Sequence, residues 1–323
     1  MAAKPVTGYP AGNGEKGRDD TGVVVYGLRV ALCLTVFLRV SPNMLRIHIV
    51  GSGPRTGTTL LAEAMGACFE IDEYCEHEAP VSREPALGAE VALTKEPADI
   101  SVVRWPLQLD PSLHVICIVR DPRDSIVSVH RRAPDRYYSN LRFWKVFVRH
   151  FRYLESHPRF HGVRYEDLVH NPDAIQERLE RRVPGLVRRH AFSQFHEVAR
   201  PGEKSVRALH RMRPMDSASV GHWRDHLPRV KQQILEHGEI SADLVRFGYE
   251  ADSSWEAMLD GVEPGGFKSV LSAKRNWRMR ARRSLRLSRA VANALLKKVG
   301  LPPRVVFYPM DKPLDIVRQR RRR

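Results

Sequence analysis

Cysteine is scarce in this chain of 323 residues: Cys33, Cys68, Cys75 and Cys117 show no paired spacing, which excludes a disulfide framework and a cysteine-based zinc cage. A reducing, cytoplasmic setting is the expectation. Long hydrophobic runs are equally lacking. The most apolar stretch, residues 23–40, is broken by Arg29 and Arg39 and sits at the short edge of a span of roughly 20 residues. It reads as a single N-terminal membrane anchor, as a buried or surface-lying helix or strand, or as an irregular leader, and Met44 offers a later start site. No repeat of solenoid type occurs. Acidic residues are nearly missing from the C-terminal part: residues 268–323 hold 18 basic and two acidic side chains, whereas residues 1–267 hold 35 of each. A neutral body with a basic appendage argues against a nucleic-acid-binding body and for a catalytic domain with an electrostatic docking element.

What is present is the alternation of an α/β domain, and a hydrophobic content of 42% is enough at this length to exclude a wholly disordered chain. Residues 1–21 read as disordered lead. From residue 45 an apolar strand (47–50) runs into a Gly-rich turn and a helix from about Gly57. The arrangement repeats with a strand at 114–119, a polar turn at 120–124 and a helix expected to run to about Arg132. Two strand-turn-helix units predict a parallel sheet in a three-layer α/β/α domain. Further helices are expected at 139–156, 173–182, 228–237 and 240–247, and a strand at 162–165. The expected organisation is a leader over 1–44, a domain over 45–250, and a linker with basic appendage over 251–323, marked by Pro264, Gly265 and Gly266.

Two segments are suited to anions. GSGPRTGTTLL at 51–61 joins a strand to a helix start, where backbone N–H groups and the helix dipole favour negative charge. The nucleoside triphosphatase pattern needs a Lys where this loop has Thr58, and its cation is instead Arg55, inside the loop. The group handled there should therefore be less highly charged than a triphosphate terminus. The second segment is CIVRDPRDSIVSVHRR at 117–132, in which Arg120 ends a strand and Ser128 falls on the second turn of the expected helix, so both can close on one phosphate. Asp121 and Asp124 are expected to pair with Arg123 or Arg131, or to cap that helix. Two such sites in one sheet ask for a ligand with two separated negative groups. Taken singly, the first loop also reads as a plain strand-to-helix turn and the second as a surface helix laced with ion pairs.

Together these segments resemble the sulfotransferases that use 3'-phosphoadenylyl sulfate. GSGPRTGTTLL is similar to their 5'-phosphosulfate loop, IVRDPRDSIVS to their 3'-phosphate segment, RYEDL at 164–168 to a third family segment, and GHWRDHL at 221–227 to a late one, in family order over roughly residues 46–250. The resemblance implies that Gly53, Arg55, Thr56, Gly57, Thr58 and Thr59 hold the 5'-phosphosulfate, with Thr56 replacing the usual Ser. It implies that Arg120 and Ser128 hold the 3'-phosphate and that Trp223 and Arg224 lie beside the cofactor. Trp223 reads equally as a buttress of the loop. The implied reaction is metal-independent transfer of a sulfuryl group to a hydroxyl or amine acceptor, with adenosine 3',5'-bisphosphate leaving and Arg55 stabilising the developing charge.

The resemblance places the base in an acidic run about twenty residues beyond Arg55, which makes Glu76 the first choice and Glu78 the second. His77 titrates near neutrality without perturbation. Lys95 and Glu96 fall where other branches keep a catalytic or sulfate-contacting residue. The run at 69–80 also reads as a solvated loop. Tyr137, Tyr138, Phe143 and Trp144 are expected to pack an acceptor-side helix, and Arg164 with Tyr165 to be architectural. Residues 274–298 form a basic amphipathic pattern suited to an anionic membrane, an acidic polymer or a fold back over the cleft, and RQRRRR at 318–323 adds a cluster. A solubilising tail is the plainer reading, and nucleic acid is not an expected partner. The competing functions are a P-loop kinase and a non-catalytic adaptor on the same fold.

Overall fold

The computed structural model describes residues 44–86, 88–130, 133–209, 211–271, 277–299 and 317–318, with only the backbone described at 76, 77, 130, 278, 279 and 317–318. The expected leader and anchor at 1–43, and most of the terminal Arg cluster, lie outside the described residues. Among the described residues no helix is long and apolar enough to cross a membrane.

The apolar runs become the centre of a sheet. β1 (Leu45–Gly51) pairs in parallel with β3 (Val91–Lys95) on one side and with β4 (Leu113–Val119) on the other. β2 (Glu73–Glu78) extends the β3 side and β7 (Phe160–Arg164) the β4 side, both parallel. A two-residue β8 (Val317–Arg318) pairs antiparallel with β2, so the order is β7-β4-β1-β3-β2-β8. The chain thus leaves β1 for one side of the sheet and returns for the other. The crevice beyond the C-terminal ends of β1 and β4 is where an open parallel sheet takes its ligand.

Alternation along each central strand feeds two cores. Ile47 and Ile49 of β1 and Ile116 and Ile118 of β4 face one layer, with α1 (Thr58–Cys68), α5 (Tyr165–His170) and α6 (Pro172–Arg182) behind it. Val50, Val115 and Cys117 face the other. That layer holds α2 (Arg104–Leu109), α3 (Pro122–Ile126), α4 (Arg142–Phe151), α9 (Leu227–His237) and α10 (Ser241–Arg246). The short α7 (Phe195–Val198) and α8 (Glu203–Leu209) lie beside α1. The fold is a three-layer α/β/α, as the strand-turn-helix repeats predict. Sheets buried on both faces need continuous apolar strands, which is why β1 and β4 are so readable.

Three local expectations are corrected. The helix expected to reach Arg132 stops at Ile126, because the chain turns into a hairpin of β5 (Val129–His130) and β6 (Ala133–Tyr137), so Ser128 sits on the connection and not on a helical turn. The acidic run at 69–80 is not a solvated loop: Glu73–Glu78 is a strand in which Tyr74 and Cys75 are buried. Packing also continues past residue 250. Trp255 is buried against Trp223, Leu271 N–H bonds to Tyr138 O at 3.2 Å, and α11 (Trp277–Lys298) lies against α2.

Candidate active site

β1 ends in a loop whose path its glycines set. Gly57 has φ 91°, and a Cβ there would lie 2.6 Å from the Tyr165 ring, so only glycine lets the loop reach the start of α1. Thr56 Oγ1 donates to Gly53 O at 2.9 Å and closes the turn. Arg55 has φ 67°, a strained conformation for a non-glycine residue, and such strain gathers at functional sites. No side chain caps α1 and its first turn holds no acid, so its positive end is not neutralised from within the helix.

Arg55 and Arg120 converge on this loop. Arg55 Nε donates to Ser128 Oγ at 3.0 Å. Arg120 donates through one terminal nitrogen to Arg55 O at 2.9 Å and through the other to Ser219 O at 2.6 Å, with its guanidinium 4.4 Å from the centre of the Tyr165 ring. Tyr165 Oη and Ser219 Oγ are 2.9 Å apart. Burial, and then the charge of Arg120, lower the pKa of Arg55. Arg120 Nε is buried and has no hydrogen-bond partner. Two adjacent guanidiniums, one of them stacked on an aromatic face, thus lie at the start of α1, an arrangement suited to an anion.

These residues line one cavity of about 1010 Å³ together with Thr58, Thr59, Glu78, Glu96 and the loop glycines 51, 53 and 57. Lys95, at the end of β3 and in register with Glu78, is only 5% exposed and donates from Nζ to Thr59 Oγ1 at 2.9 Å. It steadies the start of α1 from behind. Glu96 caps the 3-10 turn Pro97–Ser101 by accepting from Ala98 N–H. Burial pushes the Glu96 carboxyl up to about 7; Glu78 and Asp99 act in the same direction and Arg286, 3.2 Å away, opposes them.

No family model matches the chain, and no curated protein does. Among solved structures it is similar to one described as "Sulfotransferase Domain from the Curacin Biosynthetic Pathway", at 14% identity and a TM-score of 0.32, over 57% of this chain and 97% of that one. That distant neighbour is a sulfotransferase domain.

Not every expected residue reaches the cavity. Trp223 is 1% exposed, held 3.9 Å under the Arg123 guanidinium and edge-on to Trp255, so it buttresses the loop and is absent from the cavity wall. Arg224 stacks on the outer side of Trp223 and is absent from the cavity wall. The cavity wall instead takes His222 from that segment and Ser219 from just before it. Asp121 caps α3 and pairs with Arg123 at 2.7 Å, as expected for one of the two acids, while Asp124 accepts the backbone N–H groups of Gly221 and Trp223 at 2.8 and 2.9 Å. Glu166 braces the loop by accepting from Asp121 N–H at 3.0 Å. The side chains of Glu76 and His77 lie outside the described residues.

Sequence reasoning gave Tyr165 of RYEDL an architectural role only, and it missed Arg142 and the α11 arginines Arg282, Arg283 and Arg286, all in the cavity wall. Nothing local to α11 announces which of its many arginines point inward.

Proposed function

We propose that this chain is a sulfotransferase that moves a sulfuryl group from 3'-phosphoadenylyl sulfate to a hydroxyl or amine acceptor. The observation that carries the reading is the convergence of Arg55, Arg120 and Ser128 on the uncapped start of α1 within one cavity. The residues fit such a donor: the unpartnered Arg120 Nε and the paired cations call for a ligand carrying more than one negative group.

When bound, 3'-phosphoadenylyl sulfate supplies the sulfuryl group, which the acceptor takes by in-line displacement as adenosine 3',5'-bisphosphate leaves. Arg55, Thr58, Thr59 and the first N–H groups of α1 hold the 5'-phosphosulfate and stabilise the charge that grows on the departing oxygen. Arg120 and Ser128 hold the 3'-phosphate. Lys95 fixes Thr59 and adds positive charge behind it. Of the carboxylates in the wall, Glu96 is best matched to take the acceptor proton, because a base titrating near 7 is both available and strong enough at neutral pH. Glu76, Glu78 and His77 are the competing bases on β2.

Calorimetry tests the reading. The desulfated product and 3'-phosphoadenylyl sulfate should both bind with micromolar affinity. Arg120→Ala should weaken both by about tenfold to a hundredfold, the worth of a charge-assisted bond. Tight ATP binding that needs Mg²⁺, with none for the sulfated nucleotide, would establish the kinase reading instead.

A further inference from the structure

The helix that walls the cavity has a second face that the proposed chemistry leaves unused. α11 turns Ala290, Asn293 and Ala294 inward, each 3–4% exposed. Asn293 Nδ2 donates to Ser82 O at 2.6 Å, Lys297 reaches Glu84 and Asp110 at 2.9 and 3.2 Å, and Arg286 reaches Glu96 and Asp99 at 3.2 and 3.4 Å. At about 100° per residue these positions share one side of the helix.

Trp277, Leu285, Leu295 and Val299, the last in the turn just after the helix, fall on the opposite side within an arc of about 80°. They are 73%, 71%, 47% and 69% exposed. Between them on that arc stand Ala281, Ser288 and Ala292, so the stripe carries no charge. By the same wheel Arg280 and Lys298 border one edge, and Arg282 and Arg289 the other, where Arg282 also lines the cavity and Arg289 is only partly exposed. A helix packed on a soluble body ordinarily shows charge to water and keeps its apolar residues inside. Here the most solvent-facing line is apolar and both its margins are basic, which is the build of a helix lying in a membrane interface.

We propose that the outer face of α11 docks this protein on an anionic membrane surface, with Trp277, Leu285, Leu295 and Val299 at the acyl boundary and the exposed Arg280 and Lys298 against acidic headgroups. Charge selects this occupant. A second copy laid on the stripe would bring basic margin against basic margin. A soluble acidic polymer would satisfy the arginines and leave the apolar line in water. The helix is long enough to lie along the surface for about 33 Å, and its charges keep it from crossing. Its inner side would then hold the cavity about one helix diameter, roughly 10 Å, from the headgroups. The proposal stands independently of the sulfotransferase reading.

The test is co-sedimentation of the full chain with phosphatidylserine-containing vesicles and with pure phosphatidylcholine vesicles. Binding is expected to the first and not the second, with a blue shift of tryptophan emission that is lost in Trp277→Phe. Leu285→Asp with Leu295→Asp should lower the partition coefficient by at least about tenfold. Arg280→Gln with Lys298→Gln should lower it about fivefold per charge removed. All four positions are exposed, so an unchanged melting temperature certifies that the variants are folded. Sedimentation unaffected by Leu285→Asp and Leu295→Asp would overturn the proposal. So would heparin binding without vesicle binding, or a dimer in solution that those two substitutions dissociate. Titration of 3'-phosphoadenylyl sulfate into the same variants should be unchanged, so a failure of docking and a failure of the nucleotide reading give separate results.

Discussion

Glu96 should be a residue that the fold keeps at a cost. Its carboxyl is pushed up to about 7 in the folded chain against an ordinary value of 4.5, chiefly because burial disfavours its charged form; Arg286 opposes the shift, and Glu78 and Asp99 add to it. Between those two pH values the folded state binds more protons than the unfolded state, so stability falls as pH rises and reaches its full penalty above pH 7. The span corresponds to about 3 kcal/mol. Glu96→Gln removes that penalty and keeps a carbonyl oxygen to accept from Ala98 N–H. The attraction of Arg286, whose side chain is 41% exposed, is already contained in that shift and is not subtracted again. The net expectation is a gain of about 3 kcal/mol at pH 8.5 and of less than about 1 kcal/mol near pH 5. Urea denaturation at the two pH values measures it, and the same variant should lose most of its turnover. A Glu96→Gln protein that is less stable than the parent at pH 8.5, or whose stability difference is the same at both pH values, would refute the assignment of a raised pKa to this carboxyl. With it would go the reason for choosing Glu96 as the base.

Glu76→Gln tests the competing base: if β2 supplies it, turnover falls while calorimetric affinity for the nucleotide stays level, whereas unaltered turnover leaves the role to Glu96 or Glu78. Gly57→Ala should destabilise the chain by about 1 to 3 kcal/mol in thermal melts, because φ 91° is left-handed and the new methyl meets the Tyr165 ring. Since Tyr165 backs Arg120, nucleotide affinity should fall in the same variant.

Local sequence was a good guide wherever burial on both faces wrote a continuous apolar run, as in β1 and β4. The loops that follow them carry anion-suited residues in order along the chain, so the candidates Arg55, Arg120 and Ser128 could be named before any fold was known. β2 was not: EYCEHE places acids among its buried residues, and the burial of Tyr74 and Cys75 comes from α1 and from neighbouring strands far off in sequence. Ser128 was found in the right segment but on the wrong element, since the end of α3 depends on a hairpin that residues 133–137 complete.

Trp223 shows the other limit. A tryptophan beside a basic residue has the same local appearance whether it stacks on an adenine or under Arg123, and the buried Trp255 more than thirty residues later settles which. The basic C-terminal pattern likewise gave a helix and its charge, because periodicity is local. Which arginines face the cavity and which side meets solvent followed from packing against α2 and from the partners Asp110, Ser82 and Glu96. The amino-acid order alone thus determined strands β1 and β4, the two candidate loops and the amphipathic helix, all products of short-range pattern. Tertiary structure decided that β4 lies beside β1, which brings Arg120 onto Arg55, and that Glu96 is buried enough to titrate near 7. Proximity between distant segments and removal from water are properties that no short stretch of chain possesses by itself.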